Sequence, residues 1–67
     1  MLATIRIRLN GEEREVDVGT TLADLLGEPR PGYAAAVNGE VVPRREWPTR
    51  RLFEGDSIEF VRAIQGG

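Results

Sequence analysis

The chain has 67 residues, nine basic and eleven acidic, for a net charge of −2, and it contains no Cys and no His. Such a chain forms one small domain, with no disulfide, no thiolate nucleophile, no Cys-ligated zinc and no histidine base. The slight acidic excess argues against a nucleic-acid partner, which usually meets a basic surface.

No apolar run approaches the roughly 20 residues a membrane span needs. The opening Met1-Leu2-Ala3-Thr4-Ile5-Arg6 carries no apolar targeting segment. A cytoplasmic protein acting away from the membrane is expected. All nine basic residues are Arg and none is Lys. Genome composition or a preference for bidentate ion pairs accounts for that bias. A second account is chemical: a chain whose own carboxyl end is to be activated gains by lacking ε-amines that attack it.

Thr4 to Leu9 alternates, with Ile5, Ile7 and Leu9 on one face and Thr4, Arg6 and Arg8 on the other. That is a half-buried strand. Asn10-Gly11 follows, a strong hairpin signal, because a type I′ turn needs positive φ at both central positions. Glu13 to Val18 alternates again, with Val16 and Val18 apolar. Thr21 and Asp24 have the spacing of a short capping box. Leu22, Leu25 and Leu26 then form one apolar stripe of a two-turn helix, stopped by Gly27 and Pro29. A helix so short must pack on the sheet to persist. Glu28-Pro29-Arg30-Pro31-Gly32 reads as a stiff loop.

Tyr33 to Asn38 is a third strand, although Ala34-Ala35-Ala36 would also suit a helix. Asn38-Gly39 is a second hairpin turn, into a short strand Glu40-Val41-Val42 that Pro43 ends. Arg44 to Pro48 is a turn or a single 3₁₀ turn. Trp47 is expected at the edge of the core, with its indole N–H near solvent. Arg44-Arg45 and Arg50-Arg51 are either solvated loop charge or a phosphate patch. Glu54-Gly55-Asp56 is a tight turn, and Ser57 to Val61 is the last strand, with Ile58 and Phe60 on one face and Glu59 and Val61 on the other.

That strand runs through Arg62 into Ala63-Ile64-Gln65-Gly66-Gly67. A Gly-Gly ending arises by chance in roughly one chain in 200. Glycine has no Cβ and the widest backbone freedom. Drawn out, these five residues span roughly 17 Å. They can thread a narrow channel and present the Gly67 carboxylate there, or they are a frayed end. Residues 1–62 read as the folded domain and 63–67 as a flexible C-terminal tail.

The order hairpin, helix, hairpin, turn, strand resembles the α+β β-grasp (ubiquitin-like) architecture, a mixed five-strand sheet with one packed short helix. The run Val37-Asn38-Gly39-Glu40-Val41-Val42-Pro43-Arg44-Arg45-Glu46-Trp47, with Leu52, Gly55-Asp56-Ser57-Ile58-Glu59 and Gly66-Gly67, resembles the ThiS family of sulfur carriers. The resemblance covers nearly the whole chain.

It implies a substrate of partner enzymes, with no catalytic residue and no metal of its own. A ThiF-type adenylyltransferase using ATP and magnesium would adenylate Gly67. A persulfide donor would convert the adenylate to a thiocarboxylate, and a ThiG-type thiazole synthase would take the sulfur for thiamin. Gly66, Gln65 and Ile64 would thread the partner's active site. Val61, Ala63 and Arg62 would line the docking surface, with Arg62 meeting either an acidic group of the partner or Glu59. A monomer is expected when free. Other acceptors remain: molybdopterin, tRNA thiolation or protein conjugation. So does a plain β-grasp binding module without an activated tail.

Overall fold

The structure, a computed structural model, describes residues 3–28 and 30–62. Five strands, β1 (Thr4–Leu9), β2 (Glu12–Asp17), β3 (Tyr33–Val37), β4 (Glu40–Val42) and β5 (Ser57–Arg62), form one mixed sheet in the order β2-β1-β5-β3-β4. β5 lies in the middle, parallel to β1 and antiparallel to β3. Helix α1 (Leu22–Leu26) and a 3₁₀ turn over Arg44–Glu46 complete the elements.

Both Asn-Gly pairs form the expected turns. Asn10 and Gly11 have φ of 50° and 84°, and Asn38 and Gly39 have 52° and 86°. These are the left-handed values a two-residue hairpin demands. β2 begins at Glu12 rather than Glu13 and stops at Asp17. Val16 pairs with Ile5 and packs against the core, whereas Val18 is exposed. The Val18 N–H donates to the Ala3 carbonyl, at the corner of the sheet and beyond the layer that covers it.

α1 has five residues, and its start is secured twice. The Thr21 hydroxyl accepts from Asp24 N–H (3.1 Å), and Asp24 Oδ2 accepts from Thr21 N–H (3.0 Å), a complete capping box. The N–H groups of Leu22 and Ala23 donate to the carbonyls of Arg50 and Trp47 (2.8 and 3.0 Å). Donors that a helix start leaves unpaired are thus satisfied by the incoming 47–50 segment. That is how so short a helix persists.

The core lies between α1, the 47–52 segment and one face of the sheet. Ile7, Leu22, Ala35, Val37, Val42, Trp47, Leu52 and Ile58 are buried there. Trp47 departs from expectation: it is 1% exposed, and its indole N–H donates to the Val42 carbonyl at 3.0 Å. Among the described residues β4 is an edge strand paired with β3 alone, and its Val42 carbonyl gives the indole a partner within the fold. The ring can therefore be buried whole without stranding its donor. Phe60 meets Trp47 edge-on at 6.0 Å and stacks on Tyr33 at 5.2 Å.

Candidate functional site

The site is built around β5, the strand that leads into the tail. Both ends of this strand are tied down by turn chemistry. Asp56, 8% exposed, accepts from Phe53 N–H (2.8 Å) and from the Asn38 amide (2.9 Å). Asn38 Oδ1 accepts from Ser57 N–H at 3.0 Å. Further along, Asn10 Oδ1 accepts from Phe60 N–H (2.9 Å), and Asn10 Nδ2 donates to the Phe60 carbonyl (3.2 Å). On its other flank β5 pairs with β3 from Val37↔Ile58 to Tyr33↔Arg62.

The alternation of β5 sends Ile58 and Phe60 into the covered face. Glu59 and Val61 fall on the face that neither α1 nor the 3₁₀ turn covers. The register brings Ala34 opposite Val61, Ala36 opposite Glu59, and Val41 opposite Ala36. These residues line a shallow depression of about 140 Å³, mostly apolar. Val41 is 73% exposed and Val61 53%. The alanines keep the floor low between the two valines. On the β1–β2 side of the same face, Arg6 stands opposite Glu15 and Arg8 opposite Glu13.

Val61 is therefore exposed on the open face, next to the last residue of β5. Arg62 is exposed, but strand alternation places it on the face opposite Glu59, which removes Glu59 as its partner. Ala63, Ile64, Gln65, Gly66 and Gly67 lie outside the described residues. Val41, Ala34 and Ala36 are not singled out by the sequence. Their signal is the alternation of β4 and β3, which becomes readable only once the register is known. Arg44 and Arg45 line an open cleft that also contains Asp24 and Glu28. The shared acidic groups argue against a phosphate site there. Among the described residues no group of three or more acidic side chains is placed to hold a metal ion.

A five-strand mixed sheet with one short helix, and a central last strand leading to a Gly-Gly sequence, define a ubiquitin-like β-grasp protein of the carrier type. The comparisons narrow this. The ThiS family model matches residues 7–67. The sulfur carrier protein ThiS of Escherichia coli is 30% identical over 66 residues, covering 94% of this chain and all of that protein. Its counterpart from Thermus thermophilus is 40% identical over 62 residues, covering 88% of this chain and 95% of that one. The crystal structure of the thiamine biosynthesis protein ThiS from Geobacter metallireducens superposes with a TM-score of 0.78 at 25% identity, over 94% of this chain and all of that one. The chain belongs to the ThiS family, a family of small sulfur carriers of thiamine biosynthesis.

Proposed function

We propose that this carrier holds its sulfur as a thiocarboxylate on Gly67, in the cytoplasm and as a monomer when free. A carboxylate oxygen of Gly67 attacks the α-phosphorus of ATP in a ThiF-type adenylyltransferase, and pyrophosphate leaves. Magnesium belongs to that partner. The terminal sulfur of a persulfide then attacks the acyl carbon and AMP leaves. A second thiolate cleaves the resulting acyl disulfide, becoming a disulfide itself and freeing the thiocarboxylate. A ThiG-type thiazole synthase takes that sulfur.

Adenylation is needed because carboxylate oxygen is a poor leaving group. The thiocarboxylate stays anionic and nucleophilic at neutral pH. Gly66 and Gly67 allow close approach to the nucleotide, where a Cβ would clash. Ile64 and Gln65 line the channel behind them. Val61, with Val41, Ala34 and Ala36, forms the apolar patch the adenylyltransferase covers, joined by Ala63, while Arg62 meets the partner from the other face of the strand end. A patch of this kind on an otherwise polar face fits a protein partner.

The observation that carries this reading is the position of β5. It is the central strand, held on both flanks, it ends beside the apolar patch, and in the sequence it is followed directly by Ala63-Ile64-Gln65-Gly66-Gly67. The test is intact-protein mass spectrometry after incubation with the adenylyltransferase, ATP and a persulfide donor. Exchange of one oxygen for sulfur is expected at Gly67, and none in a chain lacking Gly67. Sulfur loading of the shortened chain would overturn the proposal.

A further inference from the structure

Asn10 does more than permit a turn. In the parallel pairing of β1 with β5, Arg8 N–H donates to the Asp56 carbonyl and Asn10 N–H to the Ile58 carbonyl, both at 2.9 Å. The next rung would use the N–H and carbonyl of Phe60. By then the β1 chain has turned away at Asn10-Gly11. The Asn10 side chain takes that rung instead, accepting from Phe60 N–H and donating to the Phe60 carbonyl. A side-chain amide carries the same donor and acceptor as a peptide group, so it completes the sheet by one position. Among the described residues, β5 has no further partner on this flank. Asn10 therefore sets where the strand stops being held on this flank, leaving its last two residues, Val61 and Arg62, held by β3 alone.

We propose that Asn10 is a positioning residue for the tail: its amide fixes the direction in which β5 delivers Gly67 to the activating enzyme. This rests on the carrier reading above. The reason is leverage. With one flank of its last two residues open, an angular freedom of about 10° where β5 ends at Arg62 would move the tip of a roughly 17 Å extended tail by about 3 Å. Attack on a phosphorus atom demands reacting atoms placed far more closely than that. Asn38 supplies a control within the same molecule. It also occupies a left-handed turn position before Gly and also bonds to β5, but at Ser57, the end remote from the tail.

Asn10→Gly and Asn38→Gly both keep the turn, because glycine adopts positive φ freely. Each loses two side-chain hydrogen bonds. Turnover is read as carrier-dependent ATP–pyrophosphate exchange, at a temperature where every variant is folded by circular dichroism. Docking is read separately by calorimetry without ATP. Asn10→Gly is expected to lower kcat about tenfold with docking affinity unchanged, and to speed hydrogen exchange at the Phe60 amide. Asn38→Gly is expected to lose at least as much stability and to keep the wild-type kcat. Asn10→Asp, which retains the acceptor but sets a carboxylate against the Phe60 carbonyl, should resemble Asn10→Gly. Equal kcat losses in Asn10→Gly and Asn38→Gly, or an unchanged kcat in Asn10→Gly, would show a purely structural role and overturn the proposal. Wild-type chain that supports no exchange at all would end the carrier reading itself, and this inference with it. Hydrogen exchange at Phe60 would still show whether the staple exists.

Discussion

The two faces of the sheet are made from the same strands and do opposite things. One face holds Ile7, Ala35, Val37, Val42 and Ile58 against Leu22, Trp47 and Leu52, all buried. The other bears opposite charges facing each other across β1 and β2 at one end and the Val41–Val61 depression at the other, with no layer of the described residues over it. Residues adjacent in sequence, such as Val41 and Val42, or Phe60 and Val61, therefore belong to different functions. A buried valine stabilises the fold by about 1.5–3 kcal/mol, and one left in water contributes little. In a domain of this size the covered face must supply nearly all the stability. The open face is then free to be shaped for partners.

The sharpest way to break that division is at Trp47. Trp47→Ala removes the largest buried side chain and should cost about 3–5 kcal/mol. A single small core supplies about that much in total. The expected outcome is an unfolded chain by circular dichroism. Trp47→Phe keeps most of the volume but removes the indole donor, while the Val42 carbonyl keeps its ladder bond in the β3–β4 pair; the lost hydrogen bond should cost about 0.5–1.5 kcal/mol in urea denaturation. Asp56→Ala should cost about 1–3 kcal/mol, because Phe53 N–H and the Asn38 amide lose their acceptor. In an Asn38→Gly background the same change should cost less, since the two side chains share a hydrogen bond.

The open face should answer in the other direction. Val61→Arg is expected to leave stability within about 0.5 kcal/mol, as exposed substitutions usually do. It should weaken docking to the adenylyltransferase by about tenfold, near 1.4 kcal/mol, read by calorimetry. Val18→Arg, an equally exposed valine at the sheet corner, should change neither quantity. Loss of docking in both variants would mean that the patch has no special standing.

What the sequence discloses follows from where the determining interactions lie. The hairpins are legible because Asn10-Gly11 and Asn38-Gly39 specify a backbone conformation within two residues. The helix is legible because Thr21 and Asp24 cap it within one turn. The depth of Trp47 is not, because its burial depends on a carbonyl in an edge strand, five residues away and on another element. The staples from Asn10 to Phe60 and from Asn38 to Asp56 span 50 and 18 residues, and turn chemistry already explains both asparagines. A residue fully accounted for by a local rule gives no sign of a second role. The exposure of Val61 is legible from alternation alone, while the depression it shares with Val41, Ala34 and Ala36 needs the register.

The smallest effect tests how the two layers are joined. Thr21→Ala removes a cap worth about 1 kcal/mol. Taken alone, a five-residue helix would not survive that loss, because helices this short are unstable in water. Here the N–H groups of Leu22 and Ala23 are held by the Arg50 and Trp47 carbonyls, and Thr20 and Thr21 make further backbone contacts with Leu52 and Arg51. α1 should therefore stay in place, with the loss near 1 kcal/mol and the amides of Leu22 and Ala23 still protected from hydrogen exchange. A larger loss, with those two amides exposed, would mean that the cap organises the 47–52 segment rather than the reverse. The covered face would then depend on one threonine hydroxyl, and docking through the open face should remain intact only until the sheet itself loosens.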